Sequence, residues 1–172
     1  MKKLILILYI STTPFLLLST SCSNSTYDHW TEEEINAFTK ECAETDTITN
    51  LHIVLRGFEN SEFDSILIKE YKNTVLIDSF KVLAWPTESS SDKIEKQRSA
   101  AVFRAMNINY RYELIIPGQQ PYELKEMKIM IHSAETENSD GYICEMRAFT
   151  LDGVRFIDDG NPVLLKRNIS RN

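Results

Sequence analysis

The stretch "NINYRYELII", residues 107–116, decides the class of the fold. Tyr110, Tyr112, Leu114 and Ile116 alternate with Asn109, Arg111 and Glu113. A period of two marks a strand with one face in a core and the other towards water. "PGQQP" follows, and Pro117, Gly118 and Pro121 force a turn. Working outward, the same alternation returns on both sides. "LHIVLRGF", from Leu51, is aliphatic and β-branched and stops near Gly57. "FDSILIKEY" sets Ile66, Ile68 and Glu70 against Leu67, Lys69 and Tyr71. "TVLIDSFKVL" puts Leu76, Phe80 and Val82 on one side, with Asp78 among them. In "YELKEMKIMIH" the apolar phase slips between Leu124 and Met127, which predicts a bulge or short turn. "YICEMRAFTL" and "VRFID" flank Asp152-Gly153, a two-residue hairpin signal. Asp159-Gly160-Asn161-Pro162 turns the chain again before "VLLKR".

One segment has the other period. In "WTEEEINAFTKECAET", Thr31 and Glu34 have the spacing of a capping box, and Trp30 and Ile35 that of a hydrophobic staple. Glu32, Glu33 and Glu34 suit the positive end of a helix dipole. Ile35, Phe38 and Cys42 then share one face, so a helix is predicted from Thr31 to about Thr45. Residues 89–106 are ambiguous. Ser89 to Asp92 reads as a loop or cap, Lys93 to Ala105 has helix formers, and "AAVFRAM" could equally start a strand. A loop with a short helix is the expectation.

The whole pattern therefore predicts a mainly β domain of about eight antiparallel strands with one N-terminal helix. Short hairpins favour an antiparallel β-sandwich, immunoglobulin-like in the broad sense. The alternative is an α+β fold with the helix on one curved antiparallel sheet. "DGYIC" resembles the Tyr-x-Cys of an immunoglobulin-type strand, with Tyr142 two residues before Cys144. With Cys42 on a helix, that resemblance supports a sandwich and not an antibody-type domain.

The N-terminus speaks of location. Met1-Lys2-Lys3 is basic, Leu4 to Leu18 is largely apolar, and "STS" precedes Cys22. This is the layout of a secretory signal, too short to span a bilayer. The segment resembles the lipobox of bacterial lipoproteins. That resemblance implies a signal peptide over 1–21, cut after Ser21, and acyl chains such as palmitate on Cys22. The preferred Leu of the family is displaced here to Leu18, four residues before the cysteine. The resemblance also implies that Ser23, where inner-membrane members often have Asp, favours the outer membrane, and that the absence of acids between Cys22 and Asp28 favours its periplasmic face. Residues 22–29 then read as a lipidated tether and 30–172 as one globular domain, of a kind resembling uncharacterised exported β-rich lipoproteins of Gram-negative bacteria. Two or more acyl chains anchor stably.

Composition narrows the partners. Nineteen basic against 25 acidic residues give a net charge of −6, and removal of Lys2 and Lys3 makes the chain more acidic. A nucleic-acid surface is not expected from that balance. Lipid remains the expected membrane contact, a protein or glycan is the possible partner, and the sequence leaves the oligomeric state open. Cys42 and Cys144 form an even pair in an oxidising compartment, which points to a disulfide; two separately buried thiols are the other reading.

Chemistry is sparse. HExxH, CxxC, GxSxG and glycine-rich phosphate loops are all missing from the sequence, so no catalytic residue, metal or cofactor is expected. Of the three histidines, His29 lies in the tether, and His52 and His132 in predicted strands. Cys144 beside Glu145 is a weak thiol-nucleophile pattern, and Asp158-Asp159-Gly160-Asn161 reads as a turn and not a calcium loop. Asp46-Thr47-Ile48 and Asp64-Ser65-Ile66 resemble short glycosylation sites of exported proteins in some Gram-negative bacteria. The expected function is a lipid-anchored, non-enzymatic binding or accessory protein of the cell envelope. The alternative is a small envelope hydrolase using non-local carboxylates, His52 or His132.

Overall fold

A computed structural model describes residues 30–59, 61–87, 97–136 and 139–167. The signal peptide, Cys22, His29 and residues 88–96 lie outside them. Among the described residues, helix α1 spans Glu32–Glu44 and is followed by eleven strands: β1 Thr47–Ile48, β2 Leu51–Arg56, β3 Ser65–Lys72, β4 Val75–Pro86, β5 Gln97–Val102, β6 Met106–Asn107, β7 Arg111–Ile115, β8 Tyr122–Thr136, β9 Ser139–Leu151, β10 Val154–Ile157 and β11 Val163–Leu165. The fold is mainly β with one N-terminal helix, as its alternating sequence predicts.

Nine strands form one sheet in the order β10-β9-β8-β7-β3-β4-β5-β2-β11, and β1 pairs with β6 beside it. The sheet curls strongly. Tyr122 on β8 donates to the carbonyl of Leu165 on β11 at 2.7 Å, although these strands are third and ninth in the order. Strand β4 makes the bend. Up to Leu83 it pairs with β3, and at Ala84–Pro86 it pairs with β5 on its other side. One continuous core fills the curl, with Leu51, Ile53 and Leu55 of β2, Ile66 and Ile68 of β3, Tyr112 and Leu114 of β7, and Leu124 of β8 all buried.

Local sequence explains most elements. The capping box is made: Thr31 Oγ1 accepts from Glu34 N at 3.3 Å, and Glu34 accepts from Thr31 N at 2.8 Å. That backbone donor, then the Thr31 hydroxyl, holds the Glu34 carboxyl below its usual range. Trp30 packs on Phe38 and on Tyr142, with ring centroids 5.3 and 5.4 Å apart, fixing the chain's entry onto β9. The phase slip in β8 is a register shift between Lys125 and Lys128, with Glu126 at φ 52°. Asp152 and Gly153, at φ 51° and 81°, form the two-residue turn between β9 and β10. Two positive φ values in succession are what a type I′ hairpin needs.

Three expectations are corrected. The short helix within residues 89–106 is replaced, over its described part, by strand β5. Pairing with β2 and β4 overrides helix propensity there, and Arg98 locks the strand from inside. Its buried guanidinium donates to the carbonyls of Phe63 and Ala84 and stacks on the Phe63 ring at 4.6 Å. The strands are also not all antiparallel, because β11 runs parallel to β2. The chain leaves β10 at one sheet edge and reaches the other across the open side of the curl. Finally, Leu76 is exposed and does not share the inward side with Val82, because a bulge between Asp78 and Leu76 breaks the alternation.

Candidate functional site: a polar cleft beside the disulfide

Cys42, on the inward stripe of α1, meets Cys144 of β9 with sulfurs at bonding distance and Cα atoms 5.4 Å apart. That separation falls in the range a disulfide requires. The bridge pins the C-terminal turn of α1 to the sheet, so the following segment, Thr45 to Asn50, lies over β9.

A cleft of about 420 Å³ opens there. One wall is Thr45, Thr47, Thr49, Asn50 and His52; the other is Ile143 to Arg147 of β9. Gly160 and Asn161 close one end. A Cβ at Gly160 would come within 3.2 Å of the Met146 carbonyl oxygen, a tight contact that a small shift of the neighbouring backbone would have to relieve. Arg147 organises the floor. It donates to Glu145 at 3.0 Å and to the Asp158 carbonyl at 3.2 Å, while its own carbonyl accepts from Asp159 N. Threonine hydroxyls and asparagine amides thus share the described lining with Ile48, Ile129, Ile143 and Met146, beside the Glu145–Arg147 ion pair. Such a lining matches hydrogen-bonding ligands.

Two other concavities differ in character. An apolar groove of about 390 Å³ lies where β4 and β5 separate, and Arg104 and Lys81 are its charged lining residues. A shallower cleft of about 600 Å³ carries Arg111, Lys125, Lys128 and Arg155 around Tyr110. Carboxylates answer its first two cations: Arg111 pairs with Glu113 at 2.8 Å, and Lys125 with Glu123 at 2.6 Å. Partial burial pushes the Glu113 carboxyl up, but hydrogen bonds from Arg111 and Tyr71 outweigh that and hold it below its usual range. Charge is largely balanced locally, unlike a polyanion-binding face.

The residues singled out from sequence fall as follows. His52 lines the polar cleft, and His132 Nε2 stands 3.9 Å from Glu145 Oε1. With Cys144 bonded to Cys42, its sulfur is not a free nucleophile. Asp159 and Asn161 make a turn in which the Asn161 amide donates to Asp159 Oδ1 at 3.2 Å. Among the described residues no group of three or more His, Cys, Asp or Glu is placed to hold a metal, and no described helix is long and apolar enough to cross a membrane. Of the two short Asp-(Ser/Thr)-aliphatic stretches, Thr47 lines the cleft with its hydroxyl on Asp46 at 2.8 Å, and Ser65 opens β3 half-buried.

Sequence reasoning missed the Glu145–Arg147 pair and the threonine wall. The pair could have been found, because i and i+2 on a strand share a face. The wall had a signal too, because the expected Cys42–Cys144 bridge sets the residues that follow Cys42 beside β9. Compared with protein-family models, with curated proteins and with solved structures, the chain matches none.

Proposed function

We propose that the mature chain is a cell-envelope protein held by lipid on Cys22 and acting as a non-enzymatic binding or accessory module. The outer membrane, with the domain on its periplasmic face, is the location that the sequence around Cys22 supports. The polar cleft is its contact surface for a protein or glycan partner. One observation carries this reading: threonine hydroxyls and asparagine amides stand among the apolar side chains of the cleft, and Glu145, the one carboxylate among its described lining residues, is engaged by Arg147. Hydrolysis by a carboxylate pair needs a second carboxyl across the scissile bond. The tether is compatible. Eight residue steps separate Cys22 from Trp30, which at about 3.3–3.6 Å each reach at most about 29 Å from the bilayer.

The test is photo-crosslinking in living cells from single positions of the full-length protein. Crosslinkers at Thr49 and Asn161 are expected to trap a protein or glycan adduct, and one at Val154, on the exposed β10 edge, is not. Adducts at Val154 alone, or at none of the three, contradict the cleft as the contact surface. The hydrolase alternative draws on His132 near Glu145 and on His52 in the cleft. Clearing of peptidoglycan in a gel by the wild type, abolished in Glu145→Gln, would establish it instead.

A further inference from the structure

The bulge at Glu126 gathers positive charge on one face of β8. Lys125 and Lys128 are an odd number of positions apart, so on a regular strand they would point to opposite faces. The register runs Lys125↔Thr150 and then Lys128↔Ala148, so β8 carries one residue more than β9 over this stretch. Glu126, at φ 52°, absorbs the extra step. Both lysines then line the shallower cleft around Tyr110, while Met127 between them is buried.

The same bulge seats a third cation. Arg155 of β10 stands opposite Thr150, which in turn stands opposite Lys125. Its guanidinium donates to the Glu126 carbonyl at 2.5 Å, which leaves its other N–H groups for a ligand. The Glu126 carboxylate accepts from the Thr150 hydroxyl at 2.6 Å. Arg111 of β7 completes the cationic lining. Glu113 and Glu123 are engaged by Arg111 and Lys125. Among the described residues no carboxylate lies within ion-pair distance of Lys128 or Arg155. Lys72 adds a further cation, 6.0 Å from the centre of the Tyr110 ring. In a chain of net charge −6, this concavity has a small surplus of positive charge.

We propose that this cleft binds a single phosphate monoester on a small ligand, with Lys128 and Arg155 on the phosphate oxygens and Tyr110 against the carrier. The size of the surplus selects that chemistry. Four lining cations meet the carboxylates of Glu113, Glu123 and Glu126, and Lys72 stands nearby. That excess is too small for a polyanion and suits one group of charge about −1.5 to −2. The cations also come from three strands, β7, β8 and β10. A phosphate presents acceptor oxygens in several directions, whereas a carboxylate presents its two in one plane. The carrier can be a phosphorylated sugar or a lipid headgroup, since both bear the same group. The polar cleft beside the disulfide shares none of these lining residues, so this inference does not rest on that reading.

The test is isothermal titration of the full-length protein in a neutral detergent, with glucose 1-phosphate, glycerol 3-phosphate and glucose as probes. Saturable binding of a phosphorylated probe is expected, and none of glucose. Tighter binding of glucose 1-phosphate would identify a phosphorylated sugar as the source, and tighter binding of glycerol 3-phosphate a lipid headgroup; either result supports the site. Lys128→Gln is expected to weaken binding by about tenfold, through loss of one charge-assisted contact. Lys128 is exposed and has no ion pair among the described residues, so the fold tolerates the change. Lys81→Gln makes the same charge change outside the cleft and is expected to leave binding unaltered. No binding of either phosphorylated probe, equal binding of glucose, or undiminished binding by Lys128→Gln would each overturn the proposal. An equal loss in Lys81→Gln would also overturn it, by showing a diffuse effect of net charge.

Discussion

Tyr112 and Glu70, opposed on β7 and β3, share a hydrogen bond of 2.9 Å inside the apolar core. The tyrosine hydroxyl has one proton and two acceptors within reach, the other being the Asn107 carbonyl at 3.0 Å. Burial, and then the Glu70 carboxyl, push the Tyr112 hydroxyl far above its ordinary value. The pair explains how an acid can sit on the inward row of β3 beside Ile66 and Ile68.

Tyr112→Phe removes that donor and strands Glu70. The expected loss is on the order of 1–3 kcal/mol at neutral pH, the usual cost of an unsatisfied buried polar group. The pH dependence has a definite sign. A group whose folded pKa is raised stabilises fully below its unfolded pKa, here about 10, and loses that contribution as pH climbs above it. The difference between wild type and Tyr112→Phe in urea unfolding is therefore expected to be flat from pH 7 to 9 and to shrink above 10. A difference that stays constant to pH 11 would contradict the assignment.

The Cys42–Cys144 bridge spans 102 positions of sequence. A loop of that length removes roughly 4–5 kcal/mol of chain entropy from the unfolded state in the simplest account. Each kcal/mol moves the Tm of a domain this size by roughly 2–4 °C. Cys42→Ala with Cys144→Ala is expected to lower Tm by more than 8 °C, on the order set by those two figures. Two free thiols titrated in protein taken directly from the envelope would remove the premise.

Arg98 is expected to resist conservative replacement. Its guanidinium serves the Phe63 and Ala84 carbonyls together and stacks on Phe63. Lysine cannot reproduce a planar fork. Arg98→Lys is expected to cost on the order of 2–3 kcal/mol in denaturant unfolding, by leaving a buried carbonyl unpaired. A loss below about 0.5 kcal/mol, typical of a surface change, would show that the carbonyls find other donors.

At the start of α1, Thr31→Ala removes the side-chain acceptor of the cap, at an expected cost of about 1 kcal/mol. The partner carboxyl of Glu34 is held below its usual range, so its contribution is present above the unfolded carboxylate value and disappears as pH falls through the lowered one. Glu34→Gln is expected to flatten that acid limb in helix content followed by circular dichroism. An unchanged acid limb in Glu34→Gln would speak against the box.

How much of this was legible depended on range. The helix, its cap, the bulge at Glu126 and the Asp152-Gly153 turn follow from contacts within a few residues, and the sequence carries them openly. Arg98 misled because strong helix formers surround it, while its strand is dictated by tertiary pairing with β2, distant in sequence, and with β4. Leu76, in the exposed tip Val75–Ile77, read on the side of Phe80 and Val82 because a bulge leaves no mark in an apolar run. The parallel β11 was out of reach, because it meets β2 only after the sheet has curled through β4, whereas the cleft beside β9 is placed by the Cys42–Cys144 bridge.

The proposed anchoring in the cell envelope rests on Cys22, where an apolar run gives way to small residues and a thiol. The most direct measurement is mass spectrometry of the N-terminal peptide of the mature protein, purified from its native membrane. The peptide is expected to begin at Cys22 and to carry acyl chains, and Cys22→Ala is expected to release the protein from the membrane fraction. A mature terminus elsewhere, or an unmodified Cys22 on a protein that still sediments with membranes, would contradict it.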